Sequence, residues 1–291
     1  MNLPRIPNTP HGSRQLGPSD LHLWLLPPPD SPRAAPLAEL DVQERQRAAA
    51  YRRHSDRQMY VAAHVGLRRV LSVYTGIAPH RLVIGREWCE ECGERHGRPV
   101  LVDVPGAPEF SLSHSHGLAL VAVARTRVGA DVQALPSPGT VDTCLPLLHP
   151  AERQEITRIP TEPADQRQLA FARLWSRKEA YLKGLGTGLA RAPDLDYLGE
   201  AAESWRPTGW TVRNIPLCEG HVGAAALAGD KDWRAALHPV PADWLHTRDA
   251  VERIAAIQPG LRTVLRAHDP SAVRTHALID TRNRKERAQA S

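Results

Sequence analysis

The stretch Phe171–Lys183, FARLWSRKEAYLK, concentrates side chains that can do chemistry. On a helix, Trp175, Glu179 and Lys183 are four apart and share one face, with Lys178 beside them. Such a helix could be purely structural, with a core tryptophan and an ordinary Glu179–Lys183 ion pair. Two observations favour a site. The chain has four lysines (Lys178, Lys183, Lys231 and Lys285), and two of them fall within six residues here. The pattern then ends in GLGTGL, residues 184–189, a turn that lets backbone approach a ligand closely.

A second candidate is Val128–Gln133, VGADVQ. On an extended segment Asp131 and Gln133 point to the same side. A carboxylate at a strand end suits a hard cation that takes oxygen ligands, although a lone Asp can equally cap the next segment. The third is FSLSHSHG, residues 110–117. A Ser–His pair in a turn after a strand offers Ser113 and His114 to a phosphate oxygen, or simply makes a polar hairpin turn. No G-x-S-x-G elbow surrounds Ser111, Ser113 or Ser115, which excludes the usual serine-hydrolase arrangement. Cys89 and Cys92, with Gly93 and His96, could begin a zinc site or a redox pair. A closed zinc site takes four ligands, and no second C-x-x-C or His pair follows at finger spacing, so no zinc is expected.

The elements that must position these groups are legible in outline. Residues 1–19 lack periodicity and read as a flexible leader. Leu21–Leu26 reads as a strand stopped by Pro27–Pro29, and Leu37–Leu71 as helix. Leu82–Ile84 is a short strand, followed by the polar loop Cys89–Pro99. Glu109–Leu112 and Leu118–Ala124 read as strands flanking the turn Ser113–Gly117, and Val128–Gln133 as one more. Pro136–Gly139 breaks the pattern and marks a boundary, giving halves at 20–135 and 136–235 and a partly disordered extension at 236–291. In the second half Leu145–Ile159 and Asp165–Lys183 read as helices, and Gly209–Ile215 and Val222–Ala228 as closing strands.

With 291 residues, 42% hydrophobic and 24% charged, the composition is that of a soluble globular protein. No apolar run is long enough to span a membrane, and no signal-peptide core is recognisable. A cytoplasmic protein is therefore expected, whose four cysteines need not form disulfides. The net charge of +5 suits anionic partners, and Arg274–Arg287 carries part of it. A nucleic-acid-binding protein is disfavoured, because no helix-turn-helix cue, RNP-like aromatic set or zinc-finger spacing is present.

In their order and spacing, FSLSHSHGLALVAVA, VGADVQ and FARLWSRKEAYLK resemble the signature motifs of the 4′-phosphopantetheinyl transferase superfamily. The similarity is greatest to its larger, surfactin-synthetase-type branch. RHGRP (Arg95–Pro99) matches a shorter preceding motif, and HPAER (His149–Arg153) the segment opening the second half; the resemblance spans roughly residues 21–230. It implies an α+β fold: a pseudo-twofold pair of similar halves, each a small, mostly antiparallel sheet packed on a long helix. The site would lie in the cleft between them, in a monomer. It further implies Mg²⁺, or Mn²⁺, between the coenzyme A diphosphate and the acids Asp131 and Glu179. Gln133 stands where the family often has another acid. By the same resemblance Glu179 and Lys183 are catalytic, Ser113 and His114 hold nucleotide phosphates, and Lys178 and Lys183 sit near the diphosphate and arm. Trp175 packs against the arm or shapes the site, and Arg47 or Arg57, with Arg52 and Arg53 nearby, meets the 3′-phosphate. The acceptor implied is a serine of an apo acyl or peptidyl carrier protein of fatty acid, polyketide or nonribosomal peptide biosynthesis. Gln133 alone hints at a carrier-binding module without catalysis.

Overall fold

A computed structural model describes residues 14–28, 36–200, 205–217, 220–247 and 249–266. Every residue of strand β5 (Leu118–Ala124, LALVAVA) is buried, because its sheet is covered on both faces. Ala119, Val121 and Val123 face helix α2 (His54–Thr75), while Leu118, Leu120, Ala122 and Ala124 face a second sheet. The same alternation sorts β1 (Asp20–Leu26): Trp24 and Leu26 go to the helix, Leu21, Leu23 and Leu25 to the other sheet.

The first sheet has the order β10-β9-β1-β5-β4, with β4 at Glu109–Ser115, β9 at Trp233–Pro239 and β10 at Leu261–Leu265. Only the β1–β9 pair is parallel. The second sheet is antiparallel, in the order β6 (Val128–Ala134), β8 (His221–Ala228), β7 (Trp210–Ile215). Its inner residues Val128, Ala130, Val132, Ala225 and Leu227 meet the first sheet. Its outer residues Val212, Ala224 and Ala226 meet Phe171 and Leu174 of helix α5 (Ala164–Leu185). The layers therefore run helix, sheet, sheet, helix, as the expected α+β class requires. Shorter elements fill the edges: α1 (Val42–Ala50), the hairpin of β2 (Ile84–Arg86) and β3 (Pro99–Leu101), α3 (Pro138–Cys144), α4 (Pro150–Thr157) and α6 (Ala250–Ala256).

Three expectations need correction. The helical pattern at Leu37–Leu71 divides at residues 51–53, where α1 ends and α2 begins; α1 itself starts in a capping box between Asp41 and Glu44. Strand β4 continues through Ser115, so Ser113 and His114 lie in a strand and the turn shrinks to His116 and Gly117, with φ of 42° and 87°. The proposed extension begins inside β9, and β9 and β10 complete the first sheet beside β1. Of the expected leader, Leu16 is buried in the core and the Arg14 guanidinium lies 5.0 Å from the Trp24 ring. Residues 1–13, Cys218 and the basic tail lie outside the described residues. Among the described residues, no helix is long and apolar enough to cross a membrane.

Residues from both ends of the chain meet at an aromatic cluster. Tyr74 Oη lies 2.7 Å from His22 Nδ1 and accepts from Trp24 Nε1 at 2.9 Å, while His238 stacks on Trp24 with centroids 4.3 Å apart. Burial first, and Arg14 second, push His22 down to about 4 and His238 to about 3. Both imidazoles stay neutral in the fold, while the unfolded chain takes up protons below about 6.5, so the unfolded state binds more protons there. Thermal melts should therefore show full stability from this cluster above pH 6.5, lost progressively as pH falls toward 4 and 3.

Candidate active site

The two sheets are joined at one edge by a row of serines. Ser111, Ser113 and Ser115 alternate along β4 toward β6. Their Oγ atoms accept from the backbone N–H groups of Ala130, Val132 and Ala134 at 3.0, 3.3 and 3.2 Å. These hydroxyls stand where a neighbouring strand would offer carbonyls, so the edge of the second sheet keeps its hydrogen bonds without a further strand.

Asp131 lies on β6 within this junction, 1% exposed. Its Oδ1 accepts from Ser113 Oγ at 2.8 Å and from Lys183 Nζ at 2.6 Å, and Lys183 also donates to Ser113 Oγ at 2.9 Å. Lys183 comes from the last turn of α5. The ordinary Glu179–Lys183 pair is not formed; the ammonium reaches across to Asp131 instead. Asp131 Oδ2 is buried with no hydrogen-bond partner among the described residues. One turn before Lys183, the half-buried Glu179 has no hydrogen-bond or ion-pair partner among the described residues. Gln133, two positions after Asp131 on β6, is partly exposed.

Burial raises the Glu179 carboxyl above its ordinary 4.5; Lys183 opposes that rise and the Asp131 charge adds to it. Removing the second negative charge with Asp131→Asn should lower the Glu179 pKa, and Lys183→Met should raise it further. Carboxyl ¹³C titration of the metal-free protein reads both directions, and an unmoved Glu179 in both variants would show that the groups do not interact.

Close packing of α5 on β6 makes this junction possible. A Cβ at Gly129 would fall 1.9 Å from the Ala180 carbonyl oxygen and 2.4 Å from the Gly184 amide nitrogen. A Cβ at Gly186, which caps α5 at φ of 83°, would fall 2.7 Å from Arg98 Cγ. Gly184 and Gly186 of the glycine-rich turn thus serve close approach of protein to protein, while Gly188 faces open space. Gly129→Ala should force the helix off the strand at a cost of about 1–3 kcal/mol or more, lowering the melting temperature and carrying Lys183 away from Asp131.

The remaining candidates separate. Lys178 is 1% exposed and directed away from Glu179, because one residue turns a helix by about 100°. Its Nζ donates to the carbonyls of Pro193 and Asp196 at 2.7 and 2.6 Å and pairs with Glu152 at 2.7 Å. All three donors are spent, so the lysine is not available to a diphosphate. The Ser113 hydroxyl is likewise committed to Asp131, Lys183 and β6. His114 lies on the opposite face of β4, the face whose Phe110 and Leu112 pack toward α2. There it and His64 of α2 belong to one electrostatic neighbourhood with Arg86, while Arg47, exposed in the last turn of α1, bears on Arg86 and Tyr60. Trp175 stacks on Phe171, with centroids 5.8 Å apart and 17° between the rings.

Several partners escaped the motif reading. Glu152, 0% exposed, accepts from the His149 and Leu198 amides besides pairing with Lys178. It stands inside HPAER, which the resemblance marks only as the segment that opens the second half. Arg98 of RHGRP bridges Glu87 and Glu109 at 2.8 and 2.5 Å. Arg86 had no sequence signal beyond its charge.

Residues 127–220, which include β6 and α5, match the model of the 4′-phosphopantetheinyl transferase superfamily. The chain is 30% identical over 236 residues to the 4′-phosphopantetheinyl transferase HetI of Nostoc sp., covering 78% of this chain and 93% of that protein. It is 34% identical over 157 residues to the L-aminoadipate-semialdehyde dehydrogenase-phosphopantetheinyl transferase of Eremothecium gossypii, covering 53% and 54% of the two chains. A 4′-phosphopantetheinyl transferase of Bacillus subtilis is 23% identical over 154 residues, covering 53% and 63%. The chain belongs to the 4′-phosphopantetheinyl transferase superfamily. It is an enzyme of that transferase class.

Proposed function

We propose that this protein transfers the 4′-phosphopantetheine arm of coenzyme A to a serine hydroxyl of an apo acyl or peptidyl carrier protein, in the presence of Mg²⁺ or Mn²⁺. The observation that carries the reading is a pair of unsatisfied carboxylates, Asp131 through Oδ2 and Glu179, placed beside one ammonium. Two carboxylates against one lysine leave net negative charge, and oxygen donors suit a hard divalent cation. Asp131 and Glu179 would hold the ion, with the Gln133 amide able to add one neutral oxygen. When bound, the ion supplies positive charge to the coenzyme A diphosphate.

The residues of the chain then divide the work. Lys183 fixes Asp131 and keeps a positive charge at the junction. Glu179, raised by burial, accepts the proton of the carrier serine. The serine oxygen forms a bond to the phosphorus that bears the pantetheine arm. The bond from that phosphorus to the bridging oxygen breaks, and 3′,5′-adenosine bisphosphate leaves with the electron pair. Arg47 and His114, with Arg86 and His64, would meet the phosphates of the nucleotide half.

Chromatography of the released nucleotide tests this reading. 3′,5′-Adenosine bisphosphate should appear only when coenzyme A, the divalent ion and an apo carrier are all present, and not with a carrier whose modified serine is alanine. Release without carrier would mean hydrolysis and would overturn the assignment of the acceptor.

A further inference from the structure

The β2–β3 hairpin holds a cluster that the transfer chemistry does not use. One ligand atom each from Cys89, Cys92 and His96 lies within 4.8 Å of the others, with Cys92 Sγ and His96 Nε2 2.9 Å apart. Zinc–sulfur bonds of about 2.3 Å in a tetrahedron put two thiolates about 3.8 Å apart, so the atoms have already converged to the scale of a metal shell. The turn that gathers them is well made. The Gly93 amide donates to the Cys89 carbonyl at 2.9 Å, the Cys89 amide to the Glu94 carbonyl at 2.8 Å, and Gly93 takes φ of 72°.

Below that turn the hairpin is closed by backbone bonds linking Glu87 to Arg98 and Gly97 and by the Arg98–Glu87 ion pair. Its strands have three residues each, Trp88 is 66% exposed, and a short two-stranded ribbon is marginal alone. Cys92 and His96 are exposed and fill no core. We propose that Cys89, Cys92 and His96 bind a thiophilic divalent cation of the zinc class, with its fourth position taken by water. Sequence spacing argued against zinc because no fourth protein ligand follows; the exposed side of the cluster leaves that position to solvent. The ion would clip the hairpin beside the transfer site without entering it. The same hairpin carries Arg86, and Arg98 with its Glu87 and Glu109 partners, and Glu91 pairs at 2.7 Å with Arg191, just beyond α5.

The test loads the full chain, reduced and freed of metal, with Co²⁺. Thiol titration first establishes that Cys89 and Cys92 are reduced. One equivalent should give a thiolate-to-cobalt charge-transfer band and the intense visible bands of four-coordinate cobalt, and Zn²⁺ should bleach both. Excess Mg²⁺ should leave them, as should Asp131→Asn, because the oxygen site offers no thiolate. Cys92→Ser should lose at least half of the charge-transfer intensity, since one of the two thiolates is gone, and His96→Ala should lower the cobalt affinity. Both positions are exposed, and circular dichroism checks the fold of each variant. Reduced protein that gives no charge-transfer band would overturn the proposal. So would a band undiminished in Cys92→Ser, or protein purified under reducing conditions whose mass shows a Cys89–Cys92 disulfide.

Discussion

Glu179→Gln is expected to lower phosphopantetheine transfer by about 10²–10⁴-fold, the range for loss of a positioned general base. The substitution keeps the size and shape of the side chain and removes the charge. On the proposed mechanism two functions would be lost together, since Glu179 would be both the proton acceptor and one of the two carboxylates offered to the divalent ion. Stability should not fall. Among the described residues the carboxylate makes no hydrogen bond or ion pair, and burial disfavours its charged form. A variant that melts at or above the parent temperature yet has lost turnover separates a catalytic from a structural role. Undiminished turnover would remove Glu179 from the chemistry.

Lys178→Ala should do the opposite, costing stability of about 3–5 kcal/mol, the usual price of stranding one partner of a buried ion pair. Glu152 and Lys178 are 0% and 1% exposed, and the pair ties α4 and α5 to residues 193–198. Burial pushes the Lys178 ammonium down, and the Glu152 charge lifts it back. The double variant Lys178→Met with Glu152→Gln should regain much of the loss, because both charges leave together. Denaturant unfolding measures the stabilities. At temperatures where Lys178→Ala is folded, its KM for coenzyme A should match the parent value; a raised KM with normal stability would return Lys178 to the diphosphate.

The two neighbouring lysines show where sequence reasoning holds and where it stops. Helical spacing correctly placed Glu179 and Lys183 on one face of α5, one turn apart. It could not say that Lys183 would choose Asp131 over Glu179, because Asp131 comes from β6 and only packing brings it near. Nor could it point Lys178 inward, since that depends on Glu152 and two carbonyls that are distant in the chain. In FSLSHS the first half reads as the end of a strand and Ser113–Gly117 as a turn; the row of hydroxyls facing β6 required the partner strand. The strands at Leu21–Leu26 and Leu118–Ala124 were legible from apolar runs bounded by turn residues. β9 and β10 were folded into a supposed extension, because the parallel β1–β9 pairing is a contact between chain ends that local patterning does not encode.

The most direct measurement is the intact mass of an apo carrier protein incubated with this enzyme, coenzyme A and Mg²⁺. The carrier should gain one phosphopantetheine on its serine, and the gain should vanish with EDTA and with Glu179→Gln. A gain that persists in Glu179→Gln or without a divalent ion would contradict the roles given to the Asp131–Glu179 site. No gain on any of several carrier types, from protein that is folded and binds coenzyme A, would contradict the transfer itself.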